Sequence, residues 1–225
     1  YAKLDAYSRF LGRTPEKANS MEAVLLLPPT LWPAELRTPL EALQQTIRNA
    51  GRPKVVPFLE IQLCLPEGGE LNRTRYASLC QALAELGIGI EPDARFGGQV
   101  PSLDDRVALF EANPVDASKQ PSKGYAFASL AIHLASAVAH ADGEFGASEQ
   151  AALLGQLESW MHLPDTERSR LKAQLELLQV VAPGLTGLKK RIDSLFIEQR
   201  EALAELLALI AHADGTVSPA EVKAL

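Results

Sequence analysis

Val138-Ala-His-Ala-Asp-Gly-Glu-Phe-Gly-Ala-Ser-Glu149 decides how this chain is read, because the chain writes it twice. The second copy is Ile210-Ala-His-Ala-Asp-Gly-Thr-Val-Ser-Pro-Ala-Glu221, and the aspartates at 142 and 214 stand 72 residues apart. Both copies hold Ala-His-Ala-Asp-Gly unchanged and place a glutamate seven residues after the aspartate. Each follows a segment of helical apolar periodicity and precedes another, so the repeat predicts two helix–motif–helix units and a duplicated all-α domain.

Helix punctuation accounts for part of the motif. Gly143 and Gly215 stand where a helix C-terminus takes a left-handed residue. Ser218-Pro219-Ala220-Glu221 reads as a capping box: the serine caps, the proline takes the first helical position and the glutamate reaches back. Gly146 to Glu149 is the same arrangement with glycine at the cap, and Phe145 and Val217 anchor the turns. Capping does not require Asp142, Asp214, His140 or His212. The spacing Asp-Gly-x-apolar-x-x-x-Glu is that of the second half of an EF-hand calcium loop, with the aspartate as oxygen donor and the glutamate as a bidentate carboxylate. The first half is missing: Val138 and Ile210, then His140 and His212, stand where that loop needs aspartates, so a standard EF-hand is excluded. One half-loop carries too few oxygens for a hard cation. Two related by a pseudo-twofold would pool Asp142, Glu144, Glu149, Asp214 and Glu221, asymmetrically, because Thr216 replaces Glu144. His140 and His212 are further candidate ligands, although a histidine at a helix C-terminus is favoured by the dipole whether or not it binds a metal.

Working outward, 225 residues at 47% hydrophobic and 22% charged describe an ordinary globular composition with room for one large core or two modest ones. The net charge of −6 is spread evenly: 12 basic and 15 acidic residues up to Ser118, then 10 and 13. Neither half has the basic bias of a nucleic-acid binder. Cys64 and Cys80 match no zinc or redox spacing and are expected as reduced core thiols, which points to a cytoplasmic setting. No apolar run reaches the ~20 residues that span a bilayer. A start at Tyr1 and a stop at Leu225, inside an expected helix, suggest a piece of a longer protein.

Residues 1–112 read as a helical region with a small β element. Helices are expected over Ala2–Leu11, Ala34–Ala50 (ended by Gly51) and Asn72–Leu86, with a brief apolar run at Met21–Leu27. Val55–Leu65 fits either a strand, through Ile61, Leu63 and Leu65, or a helix, through Phe58, Leu59 and Leu63. A turn is expected at Glu67-Gly-Gly, and two short strands near Gly87–Glu91 and Arg106–Phe110. Residues 113–124, with two prolines and little apolar content, form the expected linker. Residues 125–225 read as wholly helical, cut short at the C-terminus. Tyr125–Ala141 carries an apolar stripe of Phe127, Leu130, Ala131, Leu134 and Val138. Glu149–Leu163 follows, with Leu153, Leu157, Trp160 and Met161 inward. Asp165 is expected to cap Thr166–Val181, and Leu185–Phe196 and Gln199–Ala213 complete the set.

The doubled Ala-Asp-Gly-x-x-x-x-x-Glu pattern on an all-helical scaffold, from about Lys123 to Leu225, resembles the tellurite-resistance TerB family. The upstream segment, with Tyr7-Ser-Arg-Phe-Leu-Gly-Arg13 and Gly87-Ile-Gly-Ile-Glu-Pro-Asp93, resembles the region preceding TerB in longer bacterial proteins that also carry TerB-N and TerB-C modules. The resemblance implies a helical domain whose acidic residues bind a divalent metal. It also implies a bacterial stress-response setting in which the protein acts through protein partners. Carried onto this chain, those acidic positions are Asp142, Glu149, Asp214 and Glu221, with Glu144 as an extra. The ion, among calcium, magnesium, manganese and zinc, is left open.

Two other readings stand beside this one. A metal-free helical interaction scaffold would use the motif as punctuation alone. A metal-dependent hydrolase would use the duplicated carboxylates or the Glu91-Pro92-Asp93 turn with Arg95, near Asp104, Asp105 and Arg106. That turn is equally well read as a salt-bridged structural element. Lys189-Lys190-Arg191 reads as a wet helix face, and His133 and His162, unpaired in the repeat, as structural or solvent-facing. No nucleophile elbow, phosphate loop, HExxH or dinucleotide fingerprint occurs, so no catalytic residue is assigned.

Overall fold

A computed structural model describes residues 2–65, 71–117, 120–140, 145–160, 162–184 and 188–212. The chain is mainly helical with one three-stranded sheet, and it divides into two compact units, Tyr1–Gln120 and Pro121–Leu225.

In the first unit, helices α1 (Ala2–Arg13), α2 (Met21–Val24), α3 (Ala34–Ala50), α4 (Phe58–Gln62) and α5 (Arg73–Glu85) accompany strands β1 (Lys54–Pro57), β2 (Ile88–Glu91) and β3 (Arg106–Glu111). Three of the expected helices are present. Gly51 closes α3 at φ 63, the left-handed conformation its position requires. The sheet is antiparallel in the order β1-β3-β2, with Val55 opposite Ala108 and Ile90 opposite Leu109. All of β2 and the middle four residues of β3 are buried, so both sheet faces are covered; α5 packs on β2 and α3 on β3. Gly89 leaves room for the ring of its cross-strand partner Phe110, which a Cβ there would overlap.

The ambiguous stretch 55–65 resolves into both alternatives in succession. Pro57 ends the strand and caps α4, while the next amides, Phe58 and Leu59, donate to Asp105 O (2.8 Å) and Leu103 O (3.2 Å). The alternation of Ile61, Leu63 and Leu65 is not a strand face: Ile61 is buried, but Leu63 is 76% exposed. The expected turn at Glu67 lies outside the described residues. Cys80 is a buried core thiol as expected, whereas Cys64 is only half-buried.

The second unit consists of α6 (Lys123–Ala139), α7 (Ala147–Ser159), α8 (Asp165–Val180), α9 (Leu188–Asp193) and α10 (Ile197–Ala211). Helix α6 is its centre and packs on α10, α8 and α7. The expected apolar stripe describes it incompletely. Tyr125, Ala128, Ile132, Ala135 and Ala139 are buried together with Leu130, Ala131 and Val138, while Phe127 and Leu134 are only half-buried. A helix enclosed on several sides is apolar around most of its circumference rather than along one stripe.

Two boundaries differ from expectation. Asp165 is the first residue of α8 rather than its cap, because Pro164 takes the cap position and the Asp165 carboxylate pairs with Arg168 one turn on. Phe196 is not the end of a helix: α9 stops at Asp193, and Phe196 caps α10, its amide donating to Gln199 Oε1 at 3.1 Å. Leu153 and Leu157 of α7 are buried, Trp160 ends that helix half-buried, and Met161 lies outside the described residues.

Candidate functional site

The two repeats begin at equivalent places. His140 closes α6, its amide donating to Ser136 O (3.0 Å); His212 closes α10, its amide donating to Ala208 O (3.2 Å). His140 keeps α-region dihedrals (φ −85, ψ −4), whereas His212 has left that region (φ −99, ψ 0). Helices α6 and α10 pack on each other, and their first turns line one cleft, with Lys123, Ala126 and Phe127 facing Gln199. The buried face of α10 continues from Leu203 to Ala211, and that of α6 to Ala139. The helices therefore run in the same sense and bring His140 and His212 to one end of the unit.

The side chains then diverge. The His140 ring Nε2 lies 2.7 Å from Leu178 O in α8. A carbonyl only accepts, so Nε2 carries the proton and donates, and in the neutral ring the lone pair is at Nδ1. Phe145 sits edge-to-face on the ring with centroids 5.5 Å apart. His212 is exposed.

Glu149, in the first turn of α7, is 6% exposed. Its Oε2 accepts the Gly146 amide at 2.6 Å, the glutamate half of a capping box; glycine has no side chain with which to return the bond. Asp142, Glu144, Asp214 and Glu221 lie outside the described residues, as do Gly143, Gly215, Val217 and Ser218. Among the described residues, no three histidines, cysteines or acids are grouped closely enough to hold a metal ion.

What the sequence reading missed is the device that orients His140. Ser129, His133, Ser136 and His140 fall at i, i+4, i+7 and i+11, one face of α6, and Ser129, His133 and His140 make a polar seam against α8. The Gln174 side-chain amide lies 3.2 Å from both Ser129 Oγ and His133 Nδ1, and His133 Nδ1 is 2.9 Å from Ser129 O. At the N-terminal end, the Glu167 carboxylate accepts the Ser122 amide and hydroxyl, both at 2.7 Å, while Ser122 Oγ caps α6 by accepting the Tyr125 amide. The pairs 122–167, 133–174 and 140–178 rise together, so α8 runs parallel to α6 and grips it at three levels. Burial pushes the His133 pKa down, the charge of Arg191 adds to this, and the contact with Ser129 O opposes it. The seam's i, i+4, i+11 spacing was visible in the sequence, hidden by the stronger apolar signal of the same helix.

The acidic turn of the first unit is a packed element. Asp93 is fully buried, and its carboxylate accepts from Arg95 Nη2 (2.6 Å), from Arg95 Nε (3.0 and 3.2 Å) and from the Arg95 amide (2.9 Å). Arg95 also donates to Ala117 O, and Arg73 donates to Ala94 O and Gly98 O. The Glu91-Pro92 bond is cis, and Tyr76 donates its hydroxyl to Pro92 O at 2.6 Å. Burial pushes the Tyr76 phenol and the Cys80 thiol well above their ordinary ranges, with the Asp93 charge contributing to both, so neither is poised as a nucleophile. Asp104, Asp105 and Arg106 are exposed; Asp105 accepts the Ser102 amide at 2.7 Å.

Among the described residues no helix is long and apolar enough to cross a membrane. No curated protein and no solved structure matches the chain. Residues 128–225 match the family model described as Tellurite resistance protein TerB, a span that opens inside α6 and takes in both copies of the repeat. Over that span the chain is similar to the TerB family, in keeping with the resemblance carried by the doubled motif.

Proposed function

We propose that the second unit is a divalent-metal-binding helical module of a bacterial, cytoplasmic stress-response protein, and that it acts through protein partners in a tellurite-resistance-like system. The observation that supports this reading is that α6 and α10 run in the same sense and end, at His140 and His212, at one end of the unit. Asp142, Glu144, Asp214 and Glu221 are the oxygen donors proposed there, in keeping with the hard-cation chemistry of carboxylates.

The described residues fit such a group, each in a limited way. His140 donates Nε2–H to a backbone carbonyl, the support commonly found behind a metal-bound histidine, and this leaves Nδ1 as its donor atom. Glu149 holds the Gly146 amide through Oε2, which disfavours bidentate coordination by its carboxylate. His212, exposed at the end of α10, is the less supported of the two histidines. A bound cation would supply charge neutralisation that ties the two repeats together, coupling ion concentration to the stability of the module.

Calorimetric titration of calcium, magnesium, manganese and zinc into chelator-treated protein tests the proposal. It expects saturable uptake of one of these ions by the parent chain and its loss in the Asp142→Asn, Asp214→Asn double variant. No uptake of any of the four would leave a metal-free interaction scaffold.

A further inference from the structure

The end of the second unit opposite the histidines carries a feature that the metal reading does not use. There the first turns of α6 and α10 meet α9 around a cleft of ≈ 180 Å³. Its apolar lining comes from Ala126, Phe127, Leu130 and Leu195, and among the described residues its charged lining is cationic: Lys123 from α6 and Arg191 from α9.

Elsewhere in this unit Arg168 pairs with Asp165 and Lys172 with Glu158. Among the described residues, Lys123 and Arg191 have no carboxylate within ion-pair distance, nor do Lys189 and Lys190 exposed beside Arg191. This basic cluster stands on a chain of net charge −6. Among the described residues, exposed Arg191 donates to Ala126 O at 3.5 Å, and desolvation lowers its pKa. An exposed cation without a counter-ion gains from an incoming carboxylate. Between the cleft residues Leu195 and Gln199, Phe196 and Ile197 are 75% and 67% exposed, an aromatic and aliphatic pair of the kind that anchors protein interfaces.

The geometry points to a docking site for a protein partner: an acidic segment that seats one bulky apolar side chain in the cleft while its carboxylates meet Lys123 and Arg191. The volume admits a side chain rather than a cofactor-sized ligand, whose pockets start at roughly 300 Å³. The inference rests on the partner-binding half of the proposed function and is independent of the metal. Helix α6, 17 residues long, separates the cleft from His140 by about 25 Å.

The test uses the full chain and a fluorescein-labelled peptide with a central Phe-Leu pair flanked on both sides by glutamates. Anisotropy is expected to show saturable binding that weakens with added salt and when the Phe-Leu pair becomes Ala-Ala. Lys123→Glu with Arg191→Glu should weaken it about tenfold or more. Lys123→Gln with Arg191→Gln, with an unchanged circular-dichroism melt, should give a smaller loss and guards against misfolding. Binding that ignores both double variants overturns the proposal. So does binding of phosphatidylserine vesicles in place of the peptide, or self-association of the parent chain that the glutamate double variant abolishes. Metal titration of the parent chain separates the two readings. A parent that takes up metal but binds no peptide loses only the docking role, and one that binds peptide but takes up no metal loses only the metal site.

Discussion

Glu149 is where helix grammar and metal coordination compete for one side chain, and the structure sets different costs for two substitutions of it. Its carboxylate is buried and accepts the Gly146 amide at 2.6 Å at the head of α7. A charge-assisted bond to a backbone amide contributes about 1.5–3 kcal/mol, and a negative charge at a helix N-terminus about 0.3–1 more. Glu149→Ala removes both and should cost ~2 kcal/mol, allowing for water reaching the freed amide. Glu149→Gln keeps an acceptor of the same shape, loses the charge, and should cost roughly 0.5–1 kcal/mol. For a unit of this size, about 4–8 °C of melting temperature goes with each kcal/mol. Circular-dichroism melts at 222 nm in excess chelator should therefore place Ala roughly 10 °C below the parent and Gln only a few degrees below it. If glutamine were as damaging as alanine without metal, the charge itself and not the cap would be what the fold uses, and the punctuation reading of Glu149 would be wrong. An alanine variant that melted with the parent would refute it as directly.

Other expectations follow from the buried polar groups and the tight sheet. His133 titrates near 6.5 in an unfolded chain, and its folded value is lower, so the unfolded state takes up the proton first. Its contribution is complete above about pH 6.5 and is lost as pH falls through that value toward the folded one; urea midpoints between pH 7.5 and 5 should fall less steeply in His133→Gln, and an unchanged slope would contradict this. Arg95→Met strands the fully buried Asp93 and should cost the first unit ~3–5 kcal/mol by denaturant titration. Adding Asp93→Asn should then cost less than the sum of the two single changes, because the stranded charge is gone. Gly89→Ala drives a Cβ into the Phe110 ring and should cost about 1–3 kcal/mol, part of which Phe110→Leu recovers.

What could be read from the residues follows from the range over which each signal acts. Helices α3 and α5 announced themselves through repeated leucines and, for α3, the terminal Gly51, because periodicity and caps are local. Strand β1 is four residues long, and its pairing with β3 is a contact some fifty residues distant, so the stretch after Val55 looked like one ambiguous element rather than a strand capped by Pro57 and followed by a helix. The surroundings of α6 were also tertiary information: its leucines predicted one buried stripe, whereas packing by α7, α8 and α10 buries most of its circumference and turns Ser129, His133 and His140 toward α8. At the candidate site, the sequence placed His140, Glu149 and His212 at helix ends. The bond from His140 to Leu178 O and the divergence of the two histidines needed the packing of α8, which no local pattern encodes.

The central claim is that the two repeats pool their acidic residues around one cation, and one measurement addresses it without assuming the ion. Calcium, magnesium, manganese and zinc are titrated in turn into the chelator-treated chain, and into Asp142→Asn and Asp214→Asn singly and together. A shared site predicts one ion per chain in the parent, a large loss of affinity from either single change, and a double change that adds little further because the site is already broken. Two independent ions per chain, each removed by its own aspartate, would contradict it, as would uptake that survives the double change.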